Sequence, residues 1–175
     1  MKEIYLVLDN IRSRENVGSI FRTADAVGVA KIYLCGITPT PSVGNSNIQE
    51  PNSKQIPNSN FQTQNPDKIA KTALGAEKWV PWEYYNQTWK CLVELKNQKS
   101  KIKIIGLEQT KGSINIFKFK SKFPLVLIVG NEVRGISPKI LKYCDKIIEI
   151  PMLGKKESLN VSVATGIALY QLIHS

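Results

Sequence analysis

The chain has 175 residues, room for one domain and at most two small ones. Its formal charge of +10, from 24 basic against 14 acidic residues, favours a polyanionic partner, and no apolar run approaches the roughly 20 residues of a membrane span. A single histidine, His174, and three cysteines far apart in sequence argue against a His-based triad, a Cys–His dyad, a metal site and a disulfide ladder.

The start, MKEIYLVLDN, has too short an apolar stretch for a signal peptide. With thiols read as small buried hydrophobes, it gives the expectation of a soluble, cytoplasmic protein. Residues 3–8 read as a strand. From Asn16 the apolar set Val17, Ile20, Phe21, Ala24 and Val27 follows helical spacing, and Gly28 is a stop signal. A second strand at 31–35 completes a βαβ unit, whose strands should be parallel. Residues 36–66 break the rhythm: five of the nine prolines fall there among Asn, Ser, Thr and Gln. This stretch is expected to be a flexible insertion, with a substrate lid as the sharper alternative.

A short helix should run from Pro66–Asp67 to Gly75, and a short strand should lie around Trp79–Pro81. A helix is expected over 87–99, with Trp89, Leu92 and Val93 facing inward. A strand follows at 102–107, and 114–119 reads as irregular or as a short edge strand. The run 125–129 (LVLIV) fits a central parallel strand buried on both faces. Pro138–Cys144 should be a short helix and Ile147–Ile150 the last strand. Leu159–Ile173 is a strong amphipathic helix, with Val161, Val163, Ala164, Ile167, Ala168 and Leu172 toward the core. The alternation points to an α/β fold, a largely parallel sheet flanked by helices.

In open α/β sheets, ligands sit at the carboxyl ends of strands. Three such ends stand out: 10–22 after the first strand, GNEVRG (130–135) after the buried strand, and 151–162 after the last. Neither a dinucleotide nor a P-loop fingerprint is present. Ser158 can cap the final helix or meet a ligand, and Asn160 and Ser162 lie near that helix's positive end. Arg22 follows Phe21 of the apolar stripe and could equally pair with Glu15 or Asp25. There are twenty lysines and only four arginines, and all four arginines fall in 12–22 and at 134. Where lysine is the default cation, an arginine marks a place needing a planar fork of donors. Residues 81–123 carry nine lysines against three glutamates, which reads either as a solvated face or as a phosphate-tracking surface.

Taken together, the three loops resemble the signature motifs of the SpoU/TrmH family of RNA ribose methyltransferases, in the SPOUT superfamily. The first matches as Asn16-Val-Gly18-Ser-Ile-Phe-Arg22-Thr-Ala24 and on to Gly28. The second matches as Leu127-Ile-Val-Gly130-Asn-Glu132-Val-Arg-Gly135. The third matches as Ile150-Pro151-Met-Leu-Gly154-Lys-Lys-Glu-Ser158-Leu159-Asn160-Val-Ser162. The resemblance implies a C-terminal deep trefoil knot, otherwise almost absent from proteins. It implies S-adenosylmethionine held by Leu107, Gly130, Ile150, Met152 and Leu159, and a homodimer packed through the first and last helices. The implied reaction is methyl transfer to a ribose 2′-hydroxyl of tRNA or rRNA. Arg22, Asn16, Glu132, Ser158 and Asn160 would form the catalytic set. Arg12, Arg14, Arg134 and Lys155 are the expected RNA contacts. Residues 1–175 are read as one methyltransferase domain with a polar insertion at about 37–66 and no separate RNA-binding domain. The rival is a non-catalytic RNA-binding module on the same fold.

Overall fold

The computed structural model describes residues 2–42 and 67–175. Most of the polar insertion, and with it the reading as a flexible segment or lid, lies outside the described residues.

The chain opens with β1 (Ile4–Asp9) and α1 (Arg14–Val27), followed by β2 (Lys31–Cys35). Ser13 caps α1 by accepting from the Asn16 amide, and Gly28 closes it in the left-handed region, at φ 76°. Then come α2 (Asp67–Ala73), β3 (Trp82–Tyr85), α3 (Thr88–Gln98), β4 (Lys103–Leu107) and β5 (Ile114–Asn115). The chain ends with β6 (Leu125–Gly130), α4 (Pro138–Leu141), β7 (Lys146–Glu149) and α5 (Val161–His174). The seven strands form one sheet in the order β3-β2-β1-β6-β4-β7-β5, and every pairing is parallel. β6 lies between β1 and β4 and is buried along its whole length, as an unbroken apolar run requires.

Side chains alternate between the two faces of the sheet and build two cores. On one face Ile4, Leu6, Leu8, Leu125 and Leu127 meet the apolar stripe of α1 and Ala168, Leu169 and Leu172 of α5. On the other, Tyr5, Val7, Val126 and Ile128 meet Cys91, Leu92 and Leu95 of α3. Cys35 and Cys91 are buried, and burial pushes the half-buried Cys144 thiol up to about 11. Burial pushes the Cys91 thiol up as well, so Cys91 and Cys144 stay protonated at neutral pH.

Three expectations need correction. The strand near Trp79–Pro81 begins later, at Trp82. Pro81 has no amide to donate, so only its carbonyl joins the ladder, accepting from the Ile32 amide at 2.9 Å. Trp79 is exposed and donates its indole N–H to Asp25 at 2.9 Å. Val93 points to solvent on α3, where Cys91 and Leu95 fill the core beside Leu92. Val163 is 51% exposed on α5, and Thr165 and Leu169 are buried instead.

Candidate active site

A parallel sheet aims all its strand carboxyl ends at one edge. The turns after β1, β4, β6 and β7 therefore converge. Between the last three of these turns and the start of α5 opens a cleft of about 220 Å³, lined by Leu107, Val129, Gly130, Ile150, Met152 and Leu159 among the apolar groups and by Glu108, Glu132 and Glu149 among the charged ones. Among the described residues no Lys, Arg or His lines it.

The turn after β6 is built around two glycines. A Cβ on Gly130 would lie 2.4 Å from the Gly135 carbonyl carbon and 2.4 Å from the Ile136 amide nitrogen, so only glycine lets the loop close on itself. The Gly135 amide donates to the Asn131 carbonyl at 2.8 Å, and Gly135 itself sits at φ 63°. Asn131 holds the loop from within. Its Oδ1 accepts from the Val133 and Arg134 amides, each at 3.0 Å, and its Nδ2 donates to the Asn10 carbonyl at 2.7 Å. Glu108, just past β4, accepts from the Ile136 amide at 2.7 Å.

Glu132 reaches across to the turn after β1. It accepts from the Arg12 amide at 2.9 Å, the Ser13 amide at 3.0 Å and the Asn16 carboxamide at 3.0 Å. Burial alone would raise its pKa. The two amides and the Asn16 side chain outweigh that and hold it below the ordinary carboxylate value. Asn16 Oδ1 in turn accepts from Asn160 Nδ2 at 3.0 Å. Asn160 caps α5: its Oδ1 accepts from the Ser162 amide at 2.9 Å and from the Ser162 hydroxyl at 2.6 Å. A continuous chain of hydrogen bonds, Glu132–Asn16–Asn160–Ser162, thus ties the three loops together.

A family model described as SpoU rRNA Methylase family matches residues 54–170. The tRNA (guanosine(18)-2′-O)-methyltransferase of Aquifex aeolicus is 34% identical over 170 residues, which are 97% of this chain and 68% of that one. The chain belongs to the SpoU rRNA methylase family. A 23S rRNA (guanosine-2′-O-)-methyltransferase, RlmB, of Haemophilus influenzae is 30% identical over 97% of this chain, which spans 59% of that relative's length. The crystal structure of the A. aeolicus TrmH/SpoU tRNA modifying enzyme superposes with a TM-score of 0.73 at 34% identity, covering 98% of this chain and 74% of that one. The AviRb methyltransferase of Streptomyces viridochromogenes, solved in complex with AdoMet, shares the fold, with a TM-score of 0.77 at 22% identity over 99% of this chain and 60% of that one.

Against the SpoU motifs, the structure brings some residues together and leaves others apart. Leu107, Gly130, Ile150, Met152 and Leu159 all line the cleft, as do Glu132 and Ser158. Asn16, Glu132 and Asn160 are directly linked. Of the two readings of Ser158, the helix cap gives way to Asn160, because the helix begins at Val161, two residues later than its apolar pattern. Arg22 is exposed on α1, outside the cleft lining. It pairs with neither candidate: Glu15 lies 3.4 Å from Lys68, and Asp25 is taken by Trp79. Arg12, Arg134 and Lys155 are exposed and Arg14 half-buried, all in the loops around the cleft or the adjoining first turn of α1. Glu108 and Asn131 were missed. Glu108 follows a strand end, the one available signal, and Asn131 stood inside GNEVRG beside the more conspicuous glutamate.

Proposed function

We propose that the protein transfers the methyl group of S-adenosylmethionine to a ribose 2′-hydroxyl of tRNA or rRNA. The observation that carries this reading is the coincidence of the cleft with the five positions expected from the motifs: Leu107, Gly130, Ile150, Met152 and Leu159. The cleft fits the cofactor chemically. Its apolar side chains suit an adenine ring, the tight turn at Gly130 leaves backbone groups bare, and carboxylates with no cation beside them among the described residues suit a sulfonium. When bound, the sulfonium supplies an electrophilic methyl group, so the protein must chiefly align the hydroxyl with it.

The chain's own residues divide that work. Glu132 fixes the turn after β1 through two amides and Asn16, which sets the start of α1 and hence the orientation of Arg22. A guanidinium keeps its proton at neutral pH, so Arg22 acts as a donor that grips the neighbouring phosphate and stabilises developing charge on the 2′-oxygen. The proton leaves through that phosphate or water. Ser158, on the cleft wall, and Asn160 orient the third loop. Arg12, Arg14, Arg134 and Lys155 hold RNA phosphates at the cleft mouth.

Residues 1–175 act as one domain in this reading, with its RNA substrate in the cytoplasm. The C-terminal trefoil knot is part of it, supported by family membership and by the way 130–136 and 150–160 lie side by side around one cleft. So is a homodimer through α1 and α5. α5 is apolar on its outer side as well: Val163 and Tyr170 are 51% and 49% exposed. A helix apolar all round needs a second partner. Sites near that interface also account for Arg22, which stands outside its own cleft.

Arg22→Ala should abolish methylation of RNA by labelled methyl donor while leaving S-adenosylhomocysteine affinity within a few-fold. Wild-type turnover by that variant would remove the role. Calorimetry on the wild type separates the enzyme from an RNA-binding module, which would give no heat with S-adenosylhomocysteine.

A further inference from the structure

One strongly charged feature lies outside the cleft. Between β5 and β6 the chain reads Phe117-Lys-Phe-Lys-Ser-Lys-Phe123. β5 pairs with the carboxyl end of β7, Asn115 against Glu149, and Glu149 lines the cleft. β6 starts at the opposite edge of the sheet, with Leu125 level with Ile4 and Lys103. The segment between them therefore descends from beside the cleft to the amino ends of the strands. On the way the Ser121 amide donates to the Ser175 hydroxyl at 3.3 Å, past the end of α5.

The segment sorts its side chains by alternation. Phe119 and Phe123 pack against the core, whereas Lys118, Lys120 and Lys122 are all exposed. Lys118 ends a single 3₁₀ turn over Ile116–Lys118, and the chain is extended again at Phe119. Lysines two residues apart on extended chain, as Lys120 and Lys122 are, lie roughly 6.6 Å apart, close to the spacing of consecutive phosphates on an extended nucleic-acid strand. Lys103 and Lys146, the first residues of β4 and β7, continue the row and are exposed too. The acids at this edge are already engaged: Glu3 lies 2.9 Å from Lys99 and Asp145 3.8 Å from Lys96. Among the described residues no carboxylate pairs with any of the five lysines. At the upper end Phe117 is 58% exposed, an aromatic face beside a row of cations. Lysines alone would be a solvating edge. An uncovered ring at their head adds what stacking an unpaired base requires.

We infer that Phe117, Lys118, Lys120 and Lys122, continued by Lys103 and Lys146, form a track for single-stranded RNA that leads from the cleft to the far edge of the sheet. It holds the substrate's flanking strand by phosphate contacts, with Phe117 stacking on a base. The inference rests on the RNA-methylating reading.

The test uses the full chain with polyuridylate as probe, measured by fluorescence anisotropy from 50 to 300 mM salt. Replacing Lys118, Lys120 and Lys122 together by Gln should lower the slope of log affinity against log salt by about 2, at roughly 0.7 per phosphate contact on a single strand. Phe117→Ala should weaken binding about fivefold or more with the slope unchanged. Both variants should keep wild-type S-adenosylhomocysteine affinity, which reports an intact fold and cleft. A wild-type slope in the triple variant, while the wild type binds and methylates RNA, overturns the track alone. A wild type that neither binds nor methylates RNA overturns the activity reading and the track with it. Loss of binding to phosphatidylglycerol vesicles in the triple variant, with its RNA slope unchanged, would assign the lysines to a membrane surface and overturn the proposal.

Discussion

Two carboxylates near the cleft respond to pH in opposite directions, because their surroundings differ. Glu132 is held below its ordinary value of 4.5 by amides that favour the charged form. Its contribution to stability is present above that value and is lost as pH falls through the lower, folded one. Glu132→Gln replaces an acceptor oxygen with a donor facing amides that also donate. It should weaken S-adenosylhomocysteine binding about tenfold by calorimetry, the scale of hydrogen bonds to a charged group. Asp9, at the end of β1, is 2% exposed. Burial raises its pKa above 3.8, although the Thr88 hydroxyl and the Asn10 carboxamide donate to it. A raised carboxylate stabilises the fold below its unfolded value and loses that contribution as pH rises through the folded one. Asn at this position keeps acceptors for both neighbours and carries no charge. Asp9→Asn should therefore melt higher than the wild type at pH 7, and the gain should shrink toward pH 4. An unchanged difference across that range would show that Asp9 is not the group titrating.

At the scale of elements, the glycines of the loops separate into those that shape backbone and those that do not. A Cβ on Gly130 meets the Gly135 backbone at 2.4 Å, and one on Gly154 meets nothing within 4 Å. Gly130→Ala should abolish S-adenosylhomocysteine binding and lower the melting temperature, with overpacking typically costing about 1–3 kcal/mol. Gly154→Ala should leave both unchanged. The same contrast bears on what the sequence made legible. Strands β1, β2, β4 and β6 and helix α1 were readable because apolar runs, a stop glycine and tertiary packing agree there. β3 was displaced because a three-residue pattern around Trp79 says nothing of the turn at Ala76–Lys78 that precedes it. Val163 was assigned to the core because α5 is apolar on two sides, and periodicity cannot say which side the sheet takes. The motif loops revealed the cleft's apolar walls. They did not reveal Glu108 or the Asn16–Asn160 bond, since a hydrogen bond between residues 144 positions apart leaves no local pattern.

For the whole molecule, the outer side of α5 tests the proposed assembly. Val163→Asp with Tyr170→Asp places charge where the proposed twofold interface would bury apolar surface. The variant should sediment as a monomer at concentrations where the wild type is a dimer, with its circular dichroism unchanged. It should also lose methylation, because Arg22 would no longer border a complete site. A variant that stays dimeric would move the interface elsewhere.

The chain Glu132–Asn16–Asn160 also fixes when the protein becomes able to act. Asn16 and Asn160 are separated by 144 positions, so their codons are read far apart in time. At typical synthesis rates of 5–20 residues per second, the ribosome spends roughly 7–30 seconds between them. During that interval α1 stands without its Asn160 partner, and a message cut short before codon 160 yields a chain that lacks the bond. The proposed competence to act on RNA arrives in a single step, with α5.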